Sequence, residues 1–301
     1  MEVKLSKNND SKKAQELPFP VIRDKLDPLV TALINLLDRE FPGHLKSIPG
    51  LQEFLLVAML TAENTYKAMR YLTADFPKDP SRKLEFGLTI SLFGRMLADI
   101  LFTIIFMRED LGTRVDWYHR GGWRELKEDY QRHLSEYGGM PEWKSWLISY
   151  KDFLEHQRKT FGISEEEASN PKKLVYWPIP SQMLREEKLS SQSRNFLQFL
   201  NDWLYKEFSA DAHMSAAGVM RRQGFLLLSK DEGSQKILSK LKSDGIFTAT
   251  TLLIAICTEL NNMCGYGRDE KLFYLWRVLL EYWGEAKDFF GRRYSEMLTT
   301  K

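Results

Sequence analysis

Cysteine is nearly missing. There are two in 301 residues, Cys257 and Cys264. They fall on one expected helix, where seven residues of rise separate them by roughly 10 Å, beyond the reach of a disulfide. No Cys-x-x-Cys pair or paired histidine stands nearby, so a zinc site is not expected. Buried free thiols in a reducing cytosol are the expected state. Histidine is also scarce, at five. No Glu-x-x-His occurs, which argues against a di-iron bundle. A phosphate-binding Gly-rich loop and a Gly-x-Ser-x-Gly elbow are lacking too, so nucleotide-loop and serine-hydrolase chemistry have no carrier. Neither a cofactor nor a metal is expected.

A charge imbalance is lacking as well. Forty-three basic and 41 acidic side chains leave +2, so no global field calls for nucleic acid or an anionic membrane. The opening "MEVKLSKNNDSKKAQE" has no apolar stretch of the kind a signal peptide needs. Residues 1–17 are read as a disordered polar tail, and a cytoplasmic location is expected. No uninterrupted apolar run is long enough to span a bilayer. "FGLTISLFGRMLADILFTIIFM" carries Arg95 and Asp99 at its centre, each costing about 3 kcal/mol there. "IFTATTLLIAICTEL" is 15 residues long, short of the ~20 needed. Both are read as central helices of a bundle, with no membrane involved.

What is present is helical periodicity almost everywhere and no alternating pattern of the strand type. An all-α bundle of roughly nine to ten helices with no sheet is expected. Helices are read over 20–41, from Pro49 onward, and over 80–110. One follows "TRVDWYHRGGW" and is expected to break at Gly121–Gly122, and another opens at Pro141. A proline-bearing, charged stretch, 163–190, reads as an irregular connection with one short helix at 180–187 and with Tyr176 and Trp177 turned inward. Helices then resume over 192–208, 209–227, 232–243, 245–264 and 269–297. The connection joins two halves, 18–162 and 176–301, of a single helical domain. Helices 80–110 and 245–264 are expected to be the most buried.

Polar groups on such apolar helices need partners. Tyr205, Ser209 and His213 recur at steps of four, which puts them on one helix face. Ser91, Arg95 and Asp99 do the same on 80–110, where Arg95 and Asp99 can pair. Glu63 and Glu259 lie midway along other apolar helices. Together these form a candidate polar cluster, read either as a network that fixes helix register or as a catalytic or binding pocket. "RVDWYH" supplies a second candidate, the pair Arg114 and His119. It unites a proton acceptor with a cation for phosphorane charge. His44, His133 and His156 are read as solvent-facing.

The Arg-x4-His spacing resembles the signature of HEPN ribonucleases, which implies metal-independent cleavage with histidine and arginine acting on the ribose hydroxyl and the phosphate. A wider resemblance runs over roughly 50–265. An apolar helix with Arg-x-x-x-acid ("RMLAD") is followed by a Trp-Pro element ("YWPIPSQMLREE", Trp177) and a Tyr-x-x-x-Ser-x-x-x-His helix ("YKEFSADAH"). That order is similar to a bacterial helical family of unknown function, loosely HEPN-like, with Asp99 where its glutamate is expected. The resemblance implies an all-α bundle, RNA or a protein as partner, a homodimer, and a setting in phage defence or toxin–antitoxin systems. A non-catalytic interaction protein with a structural polar network is the other reading.

Overall fold

The structure is a computed structural model that describes residues 18–74, 80–205, 216, 219, 220 and 232–298. Among the described residues there are eleven α-helices, nine of them seven residues or longer, and no strand. They are α1 (Pro18–Arg39), α2 (Leu51–Ala74), α3 (Pro80–Arg108), α4 (Leu111–Tyr137), α5 (Lys144–Thr160), α6 (Glu165–Ser169), α7 (Pro180–Met183), α8 (Ser191–Leu200), α9 (Glu232–Cys264), α10 (Asp269–Tyr282) and α11 (Glu285–Arg293). The all-α expectation holds.

α9 is the axis of the bundle. Every side chain from Ile246 to Asn261 is buried, as expected of a helix that is apolar all round. α1, α2, α3 and α10 pack around it. Each outer helix turns one stripe inward. α1 buries Leu26, Leu29, Leu33 and Leu37, and α2 buries Leu51, Leu55, Ala62, Tyr66 and Met69, at the three-and-four spacing of an amphipathic helix. Ile90–Arg108 and Ser243–Cys264 are long and apolar enough by composition to cross a membrane. The second is 89% buried inside the bundle, the first 56%. α3 is therefore less enclosed than its sequence suggests, and Leu92 and Met96 lie on its outer face.

Two expected helix breaks do not occur. α4 runs unbroken through Gly121 and Gly122. A Cβ on Gly121 would lie 2.6 Å from the Trp177 backbone nitrogen, so this glycine admits the 175–177 backbone against the helix instead of ending it. α9 likewise runs through Gly245, where a Cβ would lie 2.4 Å from Ile90 Cγ2. The expected 269–297 helix, by contrast, divides at Trp283–Gly284 into α10 and α11. Of the expected 192–208 helix, the described residues form α8 and a π-helical turn over Asn201–Tyr205. Of the expected 209–227 helix only residues 216, 219 and 220 are described, and these are helical.

The connection 163–190 is more ordered than expected. It carries α6, opened by a reciprocal Ser164–Glu167 capping box, and α7, shorter than the helix read at 180–187. Of its two aromatics only Trp177 turns inward, meeting Phe106 at 5.5 Å and Tyr118 at 5.1 Å between ring centroids. Tyr176 points outward, at 42% exposure. Its ring is covered by the Arg124 guanidinium at 3.6 Å, and its hydroxyl donates to Glu128. An amphipathic ring satisfied in this way gains little from burial.

Candidate functional site

A cleft of about 650 Å³ opens where α2, α3, α4 and α5 meet. α2 supplies Glu53, Phe54 and Val57, α3 supplies Asp99 and Thr103, α4 supplies Tyr118 and His119, and α5 with its C-terminal cap supplies His156 and Phe161. Helical spacing explains the grouping. Positions 53, 57 and 61 succeed one another on one face of α2, and 99 and 103 do the same on α3. Apolar and aromatic walls with a few converging polar groups are the usual composition of a small-molecule site.

His119 is held by two contacts. Its ring stacks on Phe161, centroids 4.0 Å apart and planes within 10°. Its Nε2 lies 3.2 Å from the Gly50 carbonyl oxygen. A carbonyl only accepts, so Nε2 carries the hydrogen and Nδ1 is left as an acceptor. Gly50 has φ +77°, and a Cβ there would lie 2.3 Å from Nε2. Glycine at 50 is thus required both by the backbone and by the imidazole. Burial pushes the His119 pKa below its ordinary value, against the weaker pull of the Gly50 hydrogen bond, so the neutral ring is favoured.

Asp99 enters the same cleft from α3. Burial raises its carboxyl above the usual range, and the Arg95 charge offsets only part of that. Arg95 Nε meets Asp99 Oδ2 at 3.5 Å, and the Asp99 side chain remains 42% exposed. Arg95 Nη2 donates to the Tyr205 hydroxyl at 2.9 Å, with the guanidinium 4.9 Å from the ring centroid. Tyr118 shows a raised pKa, chiefly from burial, and stays a neutral phenol.

The candidate residues are thus partly brought together. Arg95, Asp99 and Tyr205 form one contact chain, and Asp99 shares the cleft with His119. Ser209 and His213 lie outside the described residues. Arg114 does not join His119. Five residues along a helix turn the two side chains about 140° apart. The Arg114 guanidinium is buried, at 2% exposure. It donates to the Phe106 carbonyl and lies 4.0 Å from that residue's ring centroid. The single polar cluster expected from Glu63, Glu259 and the Arg95 helix is three separate places. Glu63 pairs with Lys67 at 2.7 Å on its own helix.

Glu259 anchors a closed network elsewhere. Buried in α9, it is held by Arg293, accepts from Arg108 at 2.8 Å and accepts from the Tyr294 hydroxyl at 3.0 Å. Arg293 also donates to Ser193 Oγ at 3.0 Å, and Ser193 bonds Glu109. Burial would raise Glu259, but the Arg293 hydrogen bond and the charges of Arg293 and Arg108 outweigh it and hold the carboxyl below the usual range. This network ties α3, α8, α9 and the C-terminal segment together.

Glu53, Tyr118, His156 and Phe161 were not legible as site residues. His156 is solvent-facing as expected, and it also borders the cleft. His133, expected at the surface, is only part-exposed, 6.2 Å from Trp143 and 5.1 Å from Trp146 between ring centroids. Both cysteines are buried free thiols, with Cys257 pushed up to about 12 and Cys264 to about 11 by burial. No group of three potential ligands could hold a metal among the described residues. No family model, curated protein or solved structure matches the chain.

Proposed function

We propose that the chain binds a small organic molecule in the cleft between α2, α3, α4 and α5. One observation carries this reading: a cavity of about 650 Å³, within the ordinary range for such sites, in which burial displaces the Asp99 carboxyl and the His119 imidazole from their ordinary titration. Titratable groups shifted by burial inside a cleft are the usual physical mark of a functional site. Asp99 and His119 orient the ligand, and the Phe54, Tyr118 and Phe161 rings enclose its apolar part.

A HEPN-like, RNA-directed role in a defence setting is the second reading. His119 at the open cleft favours it, while the buried Arg114 leaves its cation enclosed. It predicts RNA cleavage in the presence of a chelator, lost in His119→Ala.

The cleft reading is tested with a neutral naphthylamine fluorophore titrated into the full chain. Saturable enhancement is expected, and Thr61→Trp, which fills the cleft from its α2 wall, should abolish it while leaving the thermal midpoint in place. Enhancement unaffected by Thr61→Trp would place the dye elsewhere and remove the support for this reading.

A further inference from the structure

We infer that the ligand of this cleft is an organic cation, a protonated amine on an apolar or aromatic body, with Asp99 as its counter-ion. The inference rests on the cleft being a binding site and adds the chemical class of what it binds. Among the described residues lining the cleft are two carboxylates, Glu53 and Asp99, and neither lysine nor arginine. The two charged groups on its walls are both acceptors, beside neutral hydroxyl and amide groups such as Thr61, Thr103 and Gln157 that can donate or accept. Both carboxylates accept, and the Gly50 contact leaves His119 Nδ1 as an acceptor as well.

The rings are set for a cation too. Phe54 and Tyr118 meet edge to face at 5.0 Å, Tyr118 and His119 follow at 5.5 Å, and His119 lies against Phe161. These side chains form a continuous aromatic wall along one side of the cleft. Such faces attract an ammonium group within about 6 Å of a ring centroid. Among the described lining residues, a carboxylate or phosphate ligand would meet like charge and neither lysine nor arginine.

Arg95 is the group that could reverse this conclusion, and its geometry argues otherwise. Its guanidinium is engaged by Tyr205 through both hydroxyl and ring, and it reaches Asp99 only at 3.5 Å. Asp99 is left under-compensated, which agrees with burial outweighing Arg95 in its titration. A ligand ammonium supplies the missing charge. Among the described residues, the titratable and charged groups around Asp99 are Arg95 on α3, Tyr205 after α8, Glu53 on α2, Tyr118 and His119 on α4 and His156 on α5, and of these Arg95 is the fixed cation.

The test compares phenethylamine, phenethyl alcohol and hydrocinnamate, which carry the same ring with a cationic, neutral or anionic end. Each is titrated into the full chain at neutral pH by calorimetry, with displacement of the naphthylamine fluorophore as a second readout. The amine should bind roughly tenfold or more tighter than the alcohol, the increment of a charge-assisted contact, and hydrocinnamate should bind weakest. In Asp99→Asn the amine's preference over the alcohol should disappear. An unchanged far-ultraviolet circular dichroism spectrum and a cooperative melt show that the variant is folded, and Asp99→Glu should restore part of the preference. Equal binding of all three compounds, or tighter binding of hydrocinnamate, overturns the cation inference and leaves the cleft a binding site. Failure of the fluorophore and all three compounds to bind overturns the underlying reading as well.

Discussion

Glu259 shows how one side chain sets the tolerances of the core around it. Removing one partner of a buried ion pair strands the other, at a cost of about 3–5 kcal/mol. Arg293→Met is therefore expected to lower unfolding stability by about 3 kcal/mol, measured by urea denaturation. The folded pKa of Glu259 lies below the ordinary glutamate value of 4.5, so the native state binds the proton less readily than the unfolded chain. The stability Glu259 contributes is present above about pH 4.5 and is lost as the pH falls through the lower folded value. Denaturation midpoints followed downward from pH 5 should drop less steeply in Glu259→Gln than in wild type, from a lower starting point. His119 has the same sign for a different reason. Its folded pKa lies below the ordinary histidine value of 6.5 because burial disfavours the cation. Its contribution is full above pH 6.5 and is lost as the pH falls through the folded value. Imidazole proton shifts should show it titrating below the ordinary histidine value of 6.5. Gly50→Ala should disturb this ring directly. It imposes a side chain on a left-handed backbone and drives a methyl into Nε2, so loss of stability by about 1–3 kcal/mol together with loss of fluorophore binding is expected.

At the scale of elements, the contact between α3 and α9 is the most demanding. A glycine inside a helix ordinarily costs about 1 kcal/mol relative to alanine, so Gly245→Ala on an open helix would stabilise. Here the added methyl meets Ile90 Cγ2. Gly245→Ala should instead destabilise by about 1–3 kcal/mol, and Ile90→Ala should relieve part of that loss, as a double-mutant cycle would reveal. The same glycines explain what the sequence could and could not disclose. Periodicity reports which face of a helix is apolar, and on that basis the all-α class and the enclosed position of 245–264 were legible. It does not report what lies opposite a glycine. Gly121 therefore reads as a break and Gly245 as the start of a new helix, although each is a place where another chain segment comes close. The cleft was only half legible. Asp99 drew attention as a charge on an apolar helix, and His119 through a spacing motif whose arginine turned out to face Phe106. Glu53, Tyr118, His156 and Phe161 belong to three other segments, with no local signal tying them to Asp99.

For the whole molecule, α9 is an axis that cannot be completed by its immediate neighbours in sequence. The groups that neutralise Glu259 come from α3 and from the segment around Arg293 and Tyr294, so the core closes only when distant parts of the chain meet. Ending the chain at residue 284 should therefore abolish cooperative unfolding, monitored by near-ultraviolet circular dichroism, and Glu259→Leu in the shortened chain should restore part of it by removing the stranded charge. The same arrangement imposes a timetable on synthesis. A nascent chain that has emerged through α9 but not yet through residue 293 holds an apolar helix it cannot bury without enclosing an under-neutralised carboxylate. Until residue 293 is made, Arg108 is the one arginine of this network available to Glu259.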